Sequence, residues 1–343
     1  MSSSKSKGFS PIETVLVLGI VGLIAFFGWY AYKHHDKTSS AMVTDTTGQP
    51  QIPTTGAYLG AWVHPGQGTG TGSAGNTGAP GANELADLSA FNSSLGKSVA
   101  LLHVWVGFKQ AVPTTTLNAI AQNGSIPIID WGCTDVASIS SGAQDATINS
   151  FAAGLKSYGK PVFLRWYWEF NQMNADGNTP AGKGCNGYNN GTGFVAAWQH
   201  IYNTFKADGV SNVAFVWCPG YSGGNFSTYY PGDQYVDWIG IDRYERTTNK
   251  QPLLSFNDMF SSYYNEWVGH NKPIMVAETA AMGSANQSQY LSSTLSQASG
   301  LPQIKAFVYF DSIGPAGDWS LTGNGVTAFK ALADSPYFIA SVQ

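Results

Sequence analysis

Two glutamates of this chain stand where carboxylates are costly. Glu169 lies in "RWYWEFNQ" (165–172) among Trp166, Tyr167, Trp168 and Phe170, and Glu278 closes the apolar run "KPIMVAE" (272–278). Burying a carboxylate charge is expensive unless something compensates it. Two carboxyl groups facing one substrate can divide the cleavage of a glycosidic bond, one protonating the leaving oxygen while the other attacks or activates water. A separation of about 5–5.5 Å goes with retention of configuration and about 6.5–9.5 Å with inversion. The aromatic surroundings of Glu169 disfavour its ionised form and suit it to proton donation. Tyr244 is placed to orient Glu278 through a hydrogen bond. Arg165, four residues before Glu169, shares its face if both belong to one strand of period two.

Such residues need a frame. From Ala57 onward short apolar runs alternate with helix-like stretches. The runs are 57–63, 98–105, 126–131, 161–168, 213–218, 235–242, 273–278 and 304–310; helical patterns cover 83–95, 144–158, 193–207, 256–269, 286–298 and 325–334. Eight strands alternating with helices predict a (β/α)8 barrel, with an open doubly wound sheet as the alternative. The string "GTGSAG" at 70–75 matches a dinucleotide-binding pattern, but it lies too far from the first strand and in a generally glycine-rich stretch, so it reads as a loop. In such barrels functional groups sit at the C-terminal ends of strands. Trp131, Glu169, Trp217, Asp242, Tyr244, Glu278, Asp311 and Trp319 fall there. A single acid at a strand end is more often structural, and Asp242 and Asp311 are read so. Two glutamates on strands four and seven, with aromatics between them, favour catalysis.

Composition narrows the partners. Charged residues make up 11% of the 343 and the net charge is −4, which leaves no electrostatic footprint for nucleic acid. The 11 Trp, 17 Tyr and 18 Phe suit a groove for an uncharged ligand. Three cysteines match no metal-ligand spacing; Cys133 and Cys185, both in predicted loops, form the expected disulfide, and Cys218 a buried thiol. Residues 15–32 are uncharged and mostly apolar, about 27 Å of helix, and predict a single membrane-spanning segment after Lys5 and Lys7. The expected domains are thus 1–35, a leader and membrane helix; 36–56, a flexible linker; and 57–343, the barrel. The expected location is the cell envelope, with the barrel outside the membrane.

Two resemblances sharpen these expectations. "KGFSPIE" (7–13) resembles the leader of type IV pilins, over residues 5–32 only. It implies cleavage between Gly8 and Phe9, export by a pilus-like system, and pilin-like subunits as partners of Glu13. From Ala57 to the C-terminus the chain resembles glycoside hydrolase family 26, whose members are retaining (β/α)8 enzymes, mostly endo-β-1,4-mannanases. The likeness rests on "PVFLRWYWEFN" (161–171), "YYPGDQYVDWIGIDRY" (229–244) and "KPIMVAE". It implies Glu169 as acid/base, Glu278 as nucleophile, Tyr244 as the residue contacting the nucleophile, and Arg165 and Asn171 as motif residues. Trp319 would floor the sugar site at the cleavage point, and His103 and Trp131 fall where the family has substrate-binding residues; Trp168, beside Glu169, and Trp217, at the end of strand five, are read as further substrate-binding positions. No metal or organic cofactor is implied. One departure stands out: the family's His before the acid/base is Trp168 here, and an indole has one donor and no acceptor. The expected activity is retaining endo-hydrolysis of an uncharged polysaccharide, first β-1,4-mannan. The alternatives are a β-1,3- or mixed-linkage glucan or a xylan as substrate, or a non-catalytic carbohydrate-binding adhesin on a pilus.

Overall fold

The computed structural model describes residues 48–68, 82–172, 185–188, 191–246, 252–314 and 317–342. Eight parallel strands form the barrel: β1 (Ala57–Gly68), β2 (Leu101–Val106), β3 (Ile126–Trp131), β4 (Val162–Trp166), β5 (Val213–Trp217), β6 (Trp238–Asp242), β7 (Ile274–Thr279) and β8 (Ile304–Gly314). Each pairs with the next, and β1 closes the ring on β8 from Tyr58↔Ala306 onward. A two-residue β9 (Gly317–Asp318) returns antiparallel on β8, and β10 (Phe338–Ile339) runs beside the start of β1. The helices are α1 (Ala82–Leu95), α2 (Thr114–Gln122), α3 (Val136–Ser140), α4 (Asp145–Tyr158), α5 (Gly191–Ala207), α6 (Phe256–Trp267), α7 (Ser284–Gln297) and α8 (Asn324–Asp334). The (β/α)8 barrel expected from the strand–helix alternation is present.

Period-two alternation sorts the strand side chains into two cores. Ile126 and Ile128 of β3, Phe163 of β4, and Ala214 and Val216 of β5 fill the barrel, where Phe163 meets Trp238 edge-on at 5.0 Å. Ile129, Trp131, Leu164, Phe215 and Trp217 face the surrounding helices. A disulfide joins Cys133, after β3, to Cys185, before α5, and leaves Cys218 as a buried free thiol. By chain-entropy reasoning a loop of this length is worth roughly 4 kcal/mol.

Residues 48–56, inside the stretch expected as linker, pack on the barrel. The Gln49 side-chain amide donates to the Val213 carbonyl at 2.7 Å and to Asp237 Oδ2 at 3.2 Å, and the Tyr58 hydroxyl donates to the Gln51 carbonyl at 2.9 Å. Pro50 and Pro53 are buried. These contacts reach the strand starts, so residues 48–56 close the end of the barrel opposite the strand C-termini. A fragment beginning at Ala57 is therefore expected to melt several degrees below one beginning at Gly48. Each lost hydrogen bond costs about 1 kcal/mol, and each kcal/mol is about 2–4 °C in a domain of this size. Thermal unfolding of the two fragments checks this, and equal midpoints would refute it. The leader-like segment 7–13 and the apolar stretch 15–32 lie outside the described residues. Among those described, no helix is long and apolar enough to cross a membrane.

Candidate active site

Glu169 is not on a strand. β4 stops at Trp166, so period two does not relate Glu169 to Arg165; a turn positions it instead. Tyr167 and Glu169 both take left-handed backbone angles, φ 41° and 52°, which non-glycine residues rarely adopt. Such strain persists only where surrounding bonds fix it. Here the Tyr167 N–H donates to the Trp131 carbonyl and the Glu169 N–H to the Cys218 carbonyl, each at 2.9 Å. The turn thus hangs from the ends of β3 and β5 and turns Glu169 into the cleft.

Glu278 is aimed by a different device. Met275 and Ala277 face the barrel interior, so strict alternation would send Glu278 outward beside Val276. The pairing of β6 with β7 slips at this point, from Ile241↔Val276 to Asp242↔Glu278, leaving Ala277 as the extra residue of a β-bulge. Bulges commonly re-aim side chains beside active sites. This one brings Glu278 inward next to Asp242.

Beneath both glutamates lies a buried charge cluster centred on Arg165, which is wholly inaccessible to solvent. Its Nε donates to Asp130 Oδ1, Nη1 to both oxygens of Asp242 at 2.9 and 2.7 Å, and Nη2 to Glu278 Oε1. The Cys218 thiol donates to Asp242 Oδ1 at 3.2 Å. Burial lifts Asp242 well above the usual carboxylate range, against the opposing pull of Arg165, and Glu278 and Glu169 add to the rise. The Trp105 and Trp168 rings meet edge-on at 4.5 Å and lie 5.7 and 5.5 Å from the guanidinium carbon. They shield the cluster from water, and out of water its charge–charge interactions are stronger. Trp168 is thus a cover for Arg165.

The two glutamates are prepared oppositely. The Glu169 carboxyl is pushed up to about 7, first by burial and then by the charge of Glu278; Arg165, Arg246 and a hydrogen bond from Gln172 oppose the rise. Glu278 is held from two sides, by Arg165 on Oε1 and by the Tyr244 hydroxyl, which donates to Oε2 at 2.5 Å. Trp319, 2% exposed, backs the Tyr244 ring at 5.0 Å. Its loop is tied down where the Trp319 N–H meets the Ser312 carbonyl and the Leu321 N–H meets Asp311. A cleft of about 380 Å³ opens above, lined by Glu169, Gln172, Tyr221, Asp242, Tyr244 and Arg246 among others.

Four residues expected at the substrate lie elsewhere. Trp131 stacks between Phe108 and Phe151 at 4.8 and 4.4 Å, and Trp217 packs on Tyr230 and Trp267 at 5.0 and 4.9 Å, both outside the barrel wall. Strand parity explains this, because Asp130 and Cys218 take the inward positions beside them. His103, 1% exposed, lies below the cleft between Asp130 and the Ala277 carbonyl. Asn171 spends its amide on the loop after β5: it accepts from the Gly220 N–H at 2.8 Å and donates to the Gly220 and Gly224 carbonyls at 2.9 Å. That loop packs so closely that a Cβ on Gly223 would lie 2.5 Å from the Asn171 carbonyl oxygen. Sequence reading passed over Asp130, Cys218, Gln172, Tyr221 and Arg246. Of these Asp130 and Cys218 carried a signal, inward parity with Ile126 and Ile128 and with Ala214 and Val216. Among the described residues no group of three or more His, Cys, Asp or Glu side chains is arranged to hold a metal ion.

Comparison with known proteins agrees with this geometry. The family described as "Glycosyl hydrolase family 26" matches residues 145–339, more than half of the chain. The chain is similar to Endoglucanase H of Acetivibrio thermocellus, 30% identical over 205 residues, which covers 57% of this chain and 22% of that protein. It is also similar to β-1,3-xylanase TXYA of a Vibrio species, 27% identical, covering 43% of this chain and 29% of that one. The chain spans less than a third of the length of these relatives. Among solved structures, a β-mannanase from a symbiotic protist of the termite Reticulitermes speratus shares the fold with a TM-score of 0.58 at 16% identity, covering 83% of this chain and 89% of that one. With the barrel formed and the family match running from α4 to β10, the chain belongs to glycosyl hydrolase family 26.

Proposed function

We propose that the protein is an endo-acting β-glycosidase that hydrolyses an uncharged polysaccharide by double displacement with retention. The observation that carries this reading is the contrast between the two glutamates. Glu169 is raised to about 7, so a large share of it still carries its proton near neutrality, while both oxygens of Glu278 accept, one from Arg165 and one from Tyr244. In the first step Glu169 protonates the leaving oxygen while Glu278 attacks the anomeric carbon, forming a glycosyl ester and releasing the leaving-group sugar. In the second, Glu169, now a carboxylate, takes a proton from water; the hydroxide adds at the same carbon and frees Glu278. Tyr244 holds the nucleophile's second oxygen, and Arg165 balances its charge until attack.

β-1,4-Mannan is the first substrate in this reading, with support from the mannanase structures that share the fold. A β-glucan is the second, favoured by the 30% identity with a protein named Endoglucanase H. Incubating residues 48–343 with mannan, β-glucans and β-1,3- and β-1,4-xylan, and following products by proton NMR, tests the reading. New reducing ends that appear first as the β-anomer support it. An α-anomer first would replace retention by inversion, and binding without any new reducing ends would make the protein a carbohydrate-binding adhesin.

The basic leader and the apolar stretch 15–32 support a tethered barrel exported beyond the membrane. Cell fractionation combined with external protease tests this, and a barrel protected in intact cells would refute it.

A further inference from the structure

His103 touches neither the cleft nor solvent, yet both of its ring nitrogens are engaged. Nε2 lies 2.9 Å from the carbonyl of Ala277, and Nδ1 lies 2.5 Å from Asp130 Oδ2. A carbonyl oxygen can only accept, so Nε2 carries a hydrogen. Asp130 takes the Nε–H of Arg165 on its other oxygen, so the ring and the guanidinium are joined through one carboxyl group.

We propose that His103 is a positioning residue for Glu278, acting on it by two routes. The first is the backbone. Ala277 is the extra residue of the bulge that turns Glu278 inward, and the Nε2–H of His103 grips its carbonyl from β2, across the barrel. The second is the side-chain chain of bonds. His103 holds Asp130, Asp130 holds Arg165, and Arg165 holds Glu278 Oε1. Both routes end at the same carboxylate, so its place relative to the sugar carbon is set from above and below. The inference rests on Glu278 being the nucleophile.

Asp130 of β3 faces the ring directly, Arg165 of β4 lies one bond beyond it, and Asp242, Cys218 and Glu278 are bound in turn to Arg165. The Trp105 ring stacks on the imidazole at 5.9 Å and closes its remaining face.

His103→Gln and Asp130→Asn in the full chain test this. A glutamine can donate to one acceptor but cannot bridge both, and it carries no charge. The expected result is a kcat lower by about ten- to hundredfold with KM within about threefold, as for a nucleophile displaced by a fraction of an ångström. An unchanged kcat, or a loss that appears in KM rather than in kcat, would overturn the proposal. Nitrogen-resolved NMR of the unsubstituted protein gives a readout that needs neither folding of a variant nor any turnover. A hydrogen on His103 Nε2 supports the assignment, and a ring protonated at Nδ1 alone overturns it, because the Ala277 carbonyl would then have no donor. If the unsubstituted protein hydrolyses nothing while Nε2 carries its hydrogen, the nucleophile role of Glu278 fails and the positioning proposal falls with it.

Discussion

Glu278→Ala is expected to lower kcat on a polysaccharide substrate by on the order of 10⁴-fold or more, because the nucleophile of the first step is gone. Folding is expected to survive. Arg165 loses one partner but keeps Asp130 and both oxygens of Asp242, and the cluster loses one of three mutually repelling carboxylates. The Tyr244 hydroxyl loses its acceptor at a position that opens to the cleft, where water can replace it. A melting point within a few degrees of the unsubstituted protein would separate chemical loss from unfolding. The space left by the carboxylate also allows a diagnostic rescue. Added azide or formate can attack the anomeric carbon from the vacated side, with Glu169 still giving its proton to the leaving group. The product of that attack has the inverted configuration. Partial recovery with an α-configured product is the expected outcome, read by proton NMR. Undiminished hydrolysis by the variant would remove Glu278 from the reaction altogether.

The barrel was legible because its cause is periodic. Apolar runs of strand length separated by helix-like stretches leave few topologies other than a closed parallel barrel, and the runs coincide with β1 to β8 to within a few residues. The site was legible in its glutamates and in Tyr244, where chemistry-bearing side chains stood at strand ends. It was not legible where geometry departs from period two. Nothing in "IMVAET" announces that Ala277 is an extra residue, and without that bulge Glu278 would point at the helices. Nothing in "RWYWEF" announces left-handed angles at Tyr167 and Glu169, since glycine occupies neither position.

Other errors were avoidable. With Ile128 and Asp130 inward, Trp131 had to face outward, and the same parity puts Cys218 inside and Trp217 outside. Reading tryptophans at strand ends as sugar-binding ignored that alternation. Asn171 is a different case. Its amide serves the backbone at Gly220 and Gly224, a contact between segments 49 and 53 residues apart that no local pattern encodes.

Glu169→Gln is expected to lower kcat by about 10²- to 10⁴-fold on a natural polysaccharide, the usual worth of a positioned general acid. Its strongest signature is in the dependence on leaving group and pH. An aryl glycoside whose phenolate departs unaided needs no proton in the first step, so its glycosylation should be nearly normal in the variant. Deglycosylation then becomes limiting, and azide, which needs no general base, should accelerate it with a β-configured product. In the unsubstituted protein the acid must hold its proton, so activity should fall as pH rises through about 7, and this limb should vanish in the variant. Stability follows with the sign fixed by the same shift. A carboxyl near 4.5 in the unfolded chain and about 7 in the folded one binds its proton more tightly when folded. Its contribution is therefore full below about 4.5 and is lost as pH rises to about 7. Glutamine cannot ionise, so the variant should gain stability relative to the unsubstituted protein across that interval, read as a widening difference in melting temperature. A difference that stays flat from pH 4 to 8 would mean that burial and the charge of Glu278 do not hold the proton on Glu169. The division of labour between the two glutamates would then lose its physical basis.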